Sequence, residues 1–185
     1  MRLRRWGVLL GVLVGIGVGA WWLGWRLRPL PTPAPRLTRP YGMAPAAFDG
    51  FVRACHRARI HPFRIGQTIG NAPLSVGYHR RDGAVGHAGR RLDYTAAVDL
   101  GTSDLSRAQI NAFLQTLGEQ GFAAFYREGG KWRGREHIHA VYAPLPMKPQ
   151  LRGQVLEWLQ KRRENDAQPH PWEVRLRKRW GLRPG

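Results

Sequence analysis

The chain is poor in cysteine, in lysine and in acid. Its 185 residues include one cysteine and 12 Asp+Glu against 30 Lys+Arg, for a net charge of +18. Cys55 stands alone, which excludes an intrachain disulfide and a cysteine-based zinc site. It reads as a buried thiol, a small core hydrophobe. The scarcity of acid excludes an acidic scaffold. The length excludes a multidomain machine, since domains average roughly 100–200 residues. A hydrophobic fraction of 43% with 10% aromatics excludes a fully disordered chain. The charge alone fits nucleic acid, an anionic membrane surface or an anionic polymer equally well.

Most of the excess charge sits at the ends. Residues 1–40 hold seven arginines and no acid, and residues 161–185 hold eight basic residues against three acids. Residues 6–25, WGVLLGVLVGIGVGAWWLGW, are an uncharged run of twenty. About 20 such residues span a hydrocarbon core of ~30 Å. Trp21, Trp22 and Trp25 cluster at one end, where indole rings prefer the interface and where a cleaved signal would need small residues. The reading is an uncleaved signal anchor over 1–28. Arg2, Arg4 and Arg5 hold the short tail inside, so the rest of the chain is expected on the outer side of a bacterial cytoplasmic membrane. Gly7, Gly11, Gly15 and Gly19 form one small-residue stripe that would suit a homo-oligomer contact; glycine is also simply common in membrane helices. Five prolines in 29–40 make a semi-stiff spacer, and a linker is expected over 29–44. A domain over 45–165 and a basic tail over 166–185 complete the plan.

Within the domain the pattern predicts an α+β fold: a small antiparallel sheet with helices packed outside. Helices are expected over 45–59, from Ser106 to about Gln120, and over 150–163. Ser106-Arg107-Ala108-Gln109 is a capping-box pattern. Strands are expected in 62–79, over 94–100 and 122–127, and over 136–143 after a turn at Glu128-Gly129-Gly130-Lys131.

Few residues in the domain are equipped for chemistry. His137 and His139 sit two apart on an expected strand, hence on one face. Glu136 precedes His139 by three. Asp99 lies in YTAAVDL, where a carboxylate on a buried strand is costly unless paired or metal-bound. His79 and His87 lie upstream. Two histidines and an aspartate with one open position make a catalytic zinc site, with a nearby carboxylate as base. The bland alternative is that Asp99 caps a turn with Thr102 and Ser103.

The order His…(G/T)-x-A-x-D…(E/D)-x-x-H resembles the zinc D-alanyl-D-alanine carboxypeptidases and related endolysin endopeptidases, over roughly residues 62–145. Their pattern is S-x-H-x-x-G-x-A-x-D followed by E/D-x-x-H. Ala97 and Asp99 fall on A-x-D, with Thr95 where the family has glycine; Glu136 and His139 fall on the last motif. The first histidine departs, because the position seven before Asp99 is Leu92. Either a loop beginning at Asp82-Gly83 is inserted after His79, which is the preferred reading, or His87 takes the role.

The resemblance implies Zn2+ on His79, Asp99 and His139, with Glu136 as general base. It implies a hydrolase that cuts peptides of bacterial cell wall, of carboxypeptidase or endopeptidase type. It gives an oxyanion role to an upstream arginine, for which Arg64 is a candidate by position only, and leaves His137 to contact the transition state or support a ligand. Two rival readings stand beside it. One is an inactive relative that binds wall polymer. The other is a membrane-tethered nucleic-acid binder using Arg175, Arg177, Lys178 and Arg179 with Trp172 and Trp180, for which a solvated or lipid-facing basic tail is the simpler account.

Overall fold

The structure is a computed structural model, and it describes residues 38–62, 64–70 and 77–183. In chain order the elements are α1 (Pro45–Ala58), β1 (Ile65–Gln67), β2 (Gly83–His87), β3 (Arg90–Tyr94), β4 (Ala97–Gly101), α2 (Arg107–Glu119), β5 (Phe122–Arg127), β6 (His137–Tyr142), α3 (Pro149–Glu164) and α4 (Pro171–Trp180). This is the expected α+β class, with a small antiparallel sheet and four helices among the described residues. None of those helices is long and apolar enough to cross a membrane. The expected span at 6–25 and its glycine stripe lie outside the described residues, as does most of the proline-rich segment.

Local signals explain the helix ends. Pro45 opens α1, where its missing N–H is no loss, and Arg59 closes it in the left-handed region at φ 54°. The Ser106 hydroxyl accepts from the Gln109 amide, and the Gln109 side chain accepts in return from the Ser106 amide. That reciprocal cap starts α2.

The main sheet runs β1-β4-β6-β5, antiparallel throughout. Alternation along its strands makes two different faces. Val98, Leu100, Ile138 and Ala140 face α1 and α2, where Phe51, Phe113 and Leu117 are fully buried. Ala97, Val141 and Ala123 face α3 and α4, against Leu151, Val155 and Leu176. Each such large side chain withdrawn from water stabilises the fold by about 1.5–3 kcal/mol. The histidines and Asp99 lie on the second face.

Two expectations about the strands and their connection change. The segment over 62–79 supplies one short strand, β1, among its described residues. The connection from β5 to β6 is no tight turn: Gly129 and Gly130 take φ of 64° and 48°, and a 3-10 turn at Gly130–Trp132 follows. The stretch read as a basic tail carries α4, because Trp172 and Leu176 are apolar enough to bury a stripe against α3. Trp172 also donates its indole N–H to the Gly118 carbonyl at 2.8 Å. At the other boundary, Met43 and Ala44 of the expected linker are buried in the core. After His79, β2 and β3 pair as a separate hairpin from Gly83 to Tyr94.

Candidate metal centre

Asp99 and His139 are direct partners across β4 and β6. Their side chains therefore start on one face, a few ångströms apart. His139 Nδ1 lies 2.8 Å from Asp99 Oδ1. His79 arrives from the loop before the hairpin, and its Nε2 lies 3.1 Å from Asp99 Oδ2. The two imidazoles meet edge to face, with centroids 5.5 Å apart. One ligand-capable atom from each of the three residues lies within 4.8 Å of the other two. Both histidines are buried, at 1% and 5% exposure.

The outer nitrogens decide what this cluster can do. His79 Nδ1 lies 2.9 Å from the Thr68 carbonyl, and His139 Nε2 lies 3.0 Å from Gln154 Oε1. The Thr68 carbonyl is an acceptor, and the Gln154 amide presents either its oxygen or, turned over, its NH2 to the ring. A neutral imidazole carries one proton, and His79, between the Thr68 carbonyl and the Asp99 carboxylate, has an acceptor at both nitrogens. A cation between the inward atoms would use the lone pair left there. Outer carbonyl acceptors that fix the tautomer are the usual support of metal-bound histidine. Tetrahedral zinc with ligands at ~2.0–2.2 Å needs neighbouring donor atoms roughly 3.3 Å apart. The observed 2.8 and 3.1 Å, to the two different Asp99 oxygens, are near that spacing, and one ligand atom from each of the three residues lies within 4.8 Å of the others. The group is able to hold a metal ion.

Comparison with known proteins adds no name: no family model, no curated protein and no solved structure matches the chain.

The Asp99 carboxyl is held below the usual carboxylate range. Burial opposes ionisation, but the His139 and His79 contacts outweigh it. Ionised Asp99 is the form that binds metal.

A second buried cluster fixes the loop that delivers His79. Lys148 Nζ pairs with Asp82 Oδ1 at 2.8 Å and donates to the carbonyls of Tyr78 at 3.1 Å and Arg80 at 2.7 Å. Its three N–H groups are thus shared by the two neighbours of His79 and by the base of the hairpin. Asp82 in turn accepts from the Lys148 amide and, at Oδ2, from the Ala96 amide, each at 2.7 Å. The pair ties together the His79 loop, the start of β4 and the start of α3. The β2–β3 hairpin starts at this knot and lies between His79 and Asp99 in the chain.

The remaining expected residues fall elsewhere. His87 is exposed at the hairpin tip, opposite Arg90. His137 shares the metal face: its Nδ1 donates to the Arg135 carbonyl at 2.8 Å, its Nε2 lies 3.8 Å from Asp99 Oδ1, and Trp132 packs against its ring. Glu136 is not brought to the triad. It lies just before the first residue of β6. There its carboxylate accepts from the Gly134 amide at 2.9 Å, which holds it below the usual range, and it feels Glu128 and Arg133. Arg64 is bound to Asp104 and to the carbonyls of His61 and Gly101, and none of these contacts leads to the triad.

Sequence reasoning missed Gln154, Lys148, Asp82 and Thr68. Only Gln154 left a trace: it interrupts the apolar stripe of Leu151, Val155 and Leu159 at helical spacing.

Proposed function

We propose that the chain is a zinc-dependent hydrolase of bacterial cell-wall peptides, tethered to the outer side of the membrane by residues 1–28. The observation that supports the metal is the buried gathering of His79, Asp99 and His139, whose ligand atoms lie within 4.8 Å of one another, with His79 between two acceptors. Two nitrogens and a carboxylate oxygen suit zinc, and they also suit iron(II). The resemblance to zinc D-alanyl-D-alanine carboxypeptidases favours zinc and supplies the substrate class.

In this reading His79 binds through Nε2, His139 through Nδ1 and Asp99 through a carboxylate oxygen. A metal there supplies Lewis acidity and makes water acidic enough to act as a nucleophile near neutral pH. His137 lies beside the ligand set, its Nε2 3.8 Å from Asp99 Oδ1. It accepts the proton at Nε2 and returns it to the departing amine, the part that the resemblance gives to Glu136. What favours His137 is its place on the metal face. His137 donates from Nδ1 to Arg135, which leaves the Nε2 lone pair free for this task.

A second reading, a wall-binding relative without catalysis, is favoured by the position of Glu136 away from the triad. One experiment separates the two. Full-length protein is assayed for bound metal and for hydrolysis of D-alanine-containing peptides, alongside His139→Ala and Glu136→Ala. The hydrolase reading expects one zinc per chain, activity that His139→Ala abolishes with the metal, and activity that survives Glu136→Ala. Bound zinc with no hydrolysis supports the inactive relative.

A further inference from the structure

The first stretch of described chain runs beside the β2–β3 hairpin. Gly42 bridges to Tyr94 of β3, and its carbonyl accepts from the Thr95 amide at 2.9 Å. Arg39 and Tyr41 thereby line one hollow with Arg81, Arg91, Leu92 and Asp93. Tyr41 is 72% exposed, more open than any other large apolar side chain among the described residues. Its backbone is held, because the Thr68 hydroxyl donates to the Tyr41 carbonyl at 2.6 Å. A tyrosine ring is at home where water meets a bilayer.

The hairpin supplies the charge. Its two acids are already matched: Asp93 pairs with Arg81 at 2.8 Å, and Asp82 with Lys148 at 2.8 Å. Arg80, Arg90 and Arg91 are exposed. No carboxylate among the described residues pairs with them, and the other residues contain no Asp or Glu. The tip is bare as well as basic. A Cβ added at Gly86 or Gly89 would meet nothing within 4 Å. Charged residues are depleted from the cores of protein–protein interfaces. Unmatched guanidinium groups on a projecting ribbon suit phosphate groups on a surface instead.

We propose that the β2–β3 hairpin, with Arg39 and Tyr41, docks on the anionic phospholipid headgroups of the bilayer that holds residues 1–28. The inference rests on the tether in the proposed function and not on hydrolysis. The chain from Pro29 to Leu37 spans about 30 Å at most, even when fully extended. So short a tether keeps the hairpin at an effective concentration of about millimolar over the headgroups. A weak patch is then enough. Each arginine near an anionic leaflet contributes about fivefold in partitioning, so Arg80, Arg90 and Arg91 together contribute about a hundredfold.

The test uses the full chain with vesicles of phosphatidylcholine, alone or equimolar with phosphatidylglycerol, containing a trace of nitroxide-headgroup lipid. A fluorophore is placed on His87→Cys at the hairpin tip or on Gln115→Cys on the exposed side of α2; Cys55 is buried and takes none. Quenching is expected at residue 87 and not at 115, and only with phosphatidylglycerol. It should fade toward about 1 M salt, where the screening length drops to ~3 Å from ~10 Å at about 0.1 M. Arg90→Glu/Arg91→Glu should abolish it, and Arg90→Lys/Arg91→Lys should keep most of it. Three results overturn the proposal: no quenching at residue 87, equal quenching at both residues, or quenching unmoved by charge reversal in folded protein. A label that responds to duplex DNA and not to phosphatidylglycerol overturns it too, and assigns the hairpin to nucleic acid. Flotation tests the tether separately. A chain that floats on anionic vesicles alone, and no longer does so with Arg90→Glu/Arg91→Glu, removes the tether and leaves the docking in place. A chain that floats on neither kind overturns both.

Discussion

Gln154 Oε1 lies 3.0 Å from His139 Nε2, and this contact sets which nitrogen of His139 faces Asp99. With a metal on the inward atoms, the ring would donate outward to Gln154 and offer its Nδ1 lone pair inward. A glutamine in the buried stripe of α3 is thereby accounted for.

Gln154→Ala should bind metal 10–100-fold more weakly, the usual effect of losing such a support. Gln154→Glu, which keeps an acceptor, should retain most of the affinity. Competition with a chromophoric chelator gives both constants. Equal affinity in wild type and Gln154→Ala would show that the contact does not orient the ring for metal.

Removal of His79, Asp99 or His139 by alanine substitution should each abolish stoichiometric metal. His87→Ala should leave it intact, because that ring is exposed at the hairpin tip. Elemental analysis of the four variants decides. Loss of metal in His87→Ala would sink the assignment of His79.

The Lys148–Asp82 pair is buried, with side-chain exposures of 15% and 0%. Lys148→Met should cost about 3–5 kcal/mol, because it strands a buried carboxylate. The double variant Lys148→Met/Asp82→Leu should recover part of that stability yet still bind metal poorly, since the carbonyls beside His79 lose their common donor. Urea unfolding and chelator competition report the two effects separately. Full metal affinity in the double variant would reduce the pair to a stability element.

Burial pushes the Cys55 thiol up to about 12 from an ordinary 9.0, against a weaker pull from Arg64. Above pH 9 the unfolded chain releases this proton and the folded chain keeps it. Stability therefore falls as pH rises from about 9 toward 12, at up to ~1.4 kcal/mol per pH unit from this group. Unfolding in urea at pH 8 and pH 10.5 should show wild type losing more stability than Cys55→Ala. Equal losses would mean that the thiol ionises freely in the fold.

Much of the fold was legible before any coordinates. Phe122–Arg127 is an unbroken apolar-to-aromatic run, and β5 has those bounds. Ser106 and Gln109 announced the start of α2, because a capping box is a local device read within four residues. Asp82-Gly83 marked the hairpin for the same reason. The β5–β6 connection was not legible, since two glycines in succession permit several turns and the packing of Trp132 on His137 selects one. The helix in the basic segment was hidden by its charge: Trp172, Glu173 and Leu176 are its buried residues, and Arg175, Lys178 and Arg179 face water.

The sequence by itself determined which residue types were available: few histidines, one aspartate on an apolar strand, and a −x− spacing that puts His137 and His139 on one face. Those are consequences of composition and of the two-residue period of a strand. Only the tertiary structure decided that His79 and not His87 meets Asp99, that the Glu136 carboxylate bonds to the Gly134 amide, and that Gln154 and Thr68 back the two rings. These depend on the register between β4 and β6 and on where a loop is tied by Lys148. Register and loop closure are set by contacts between residues tens of positions apart, which no local pattern encodes.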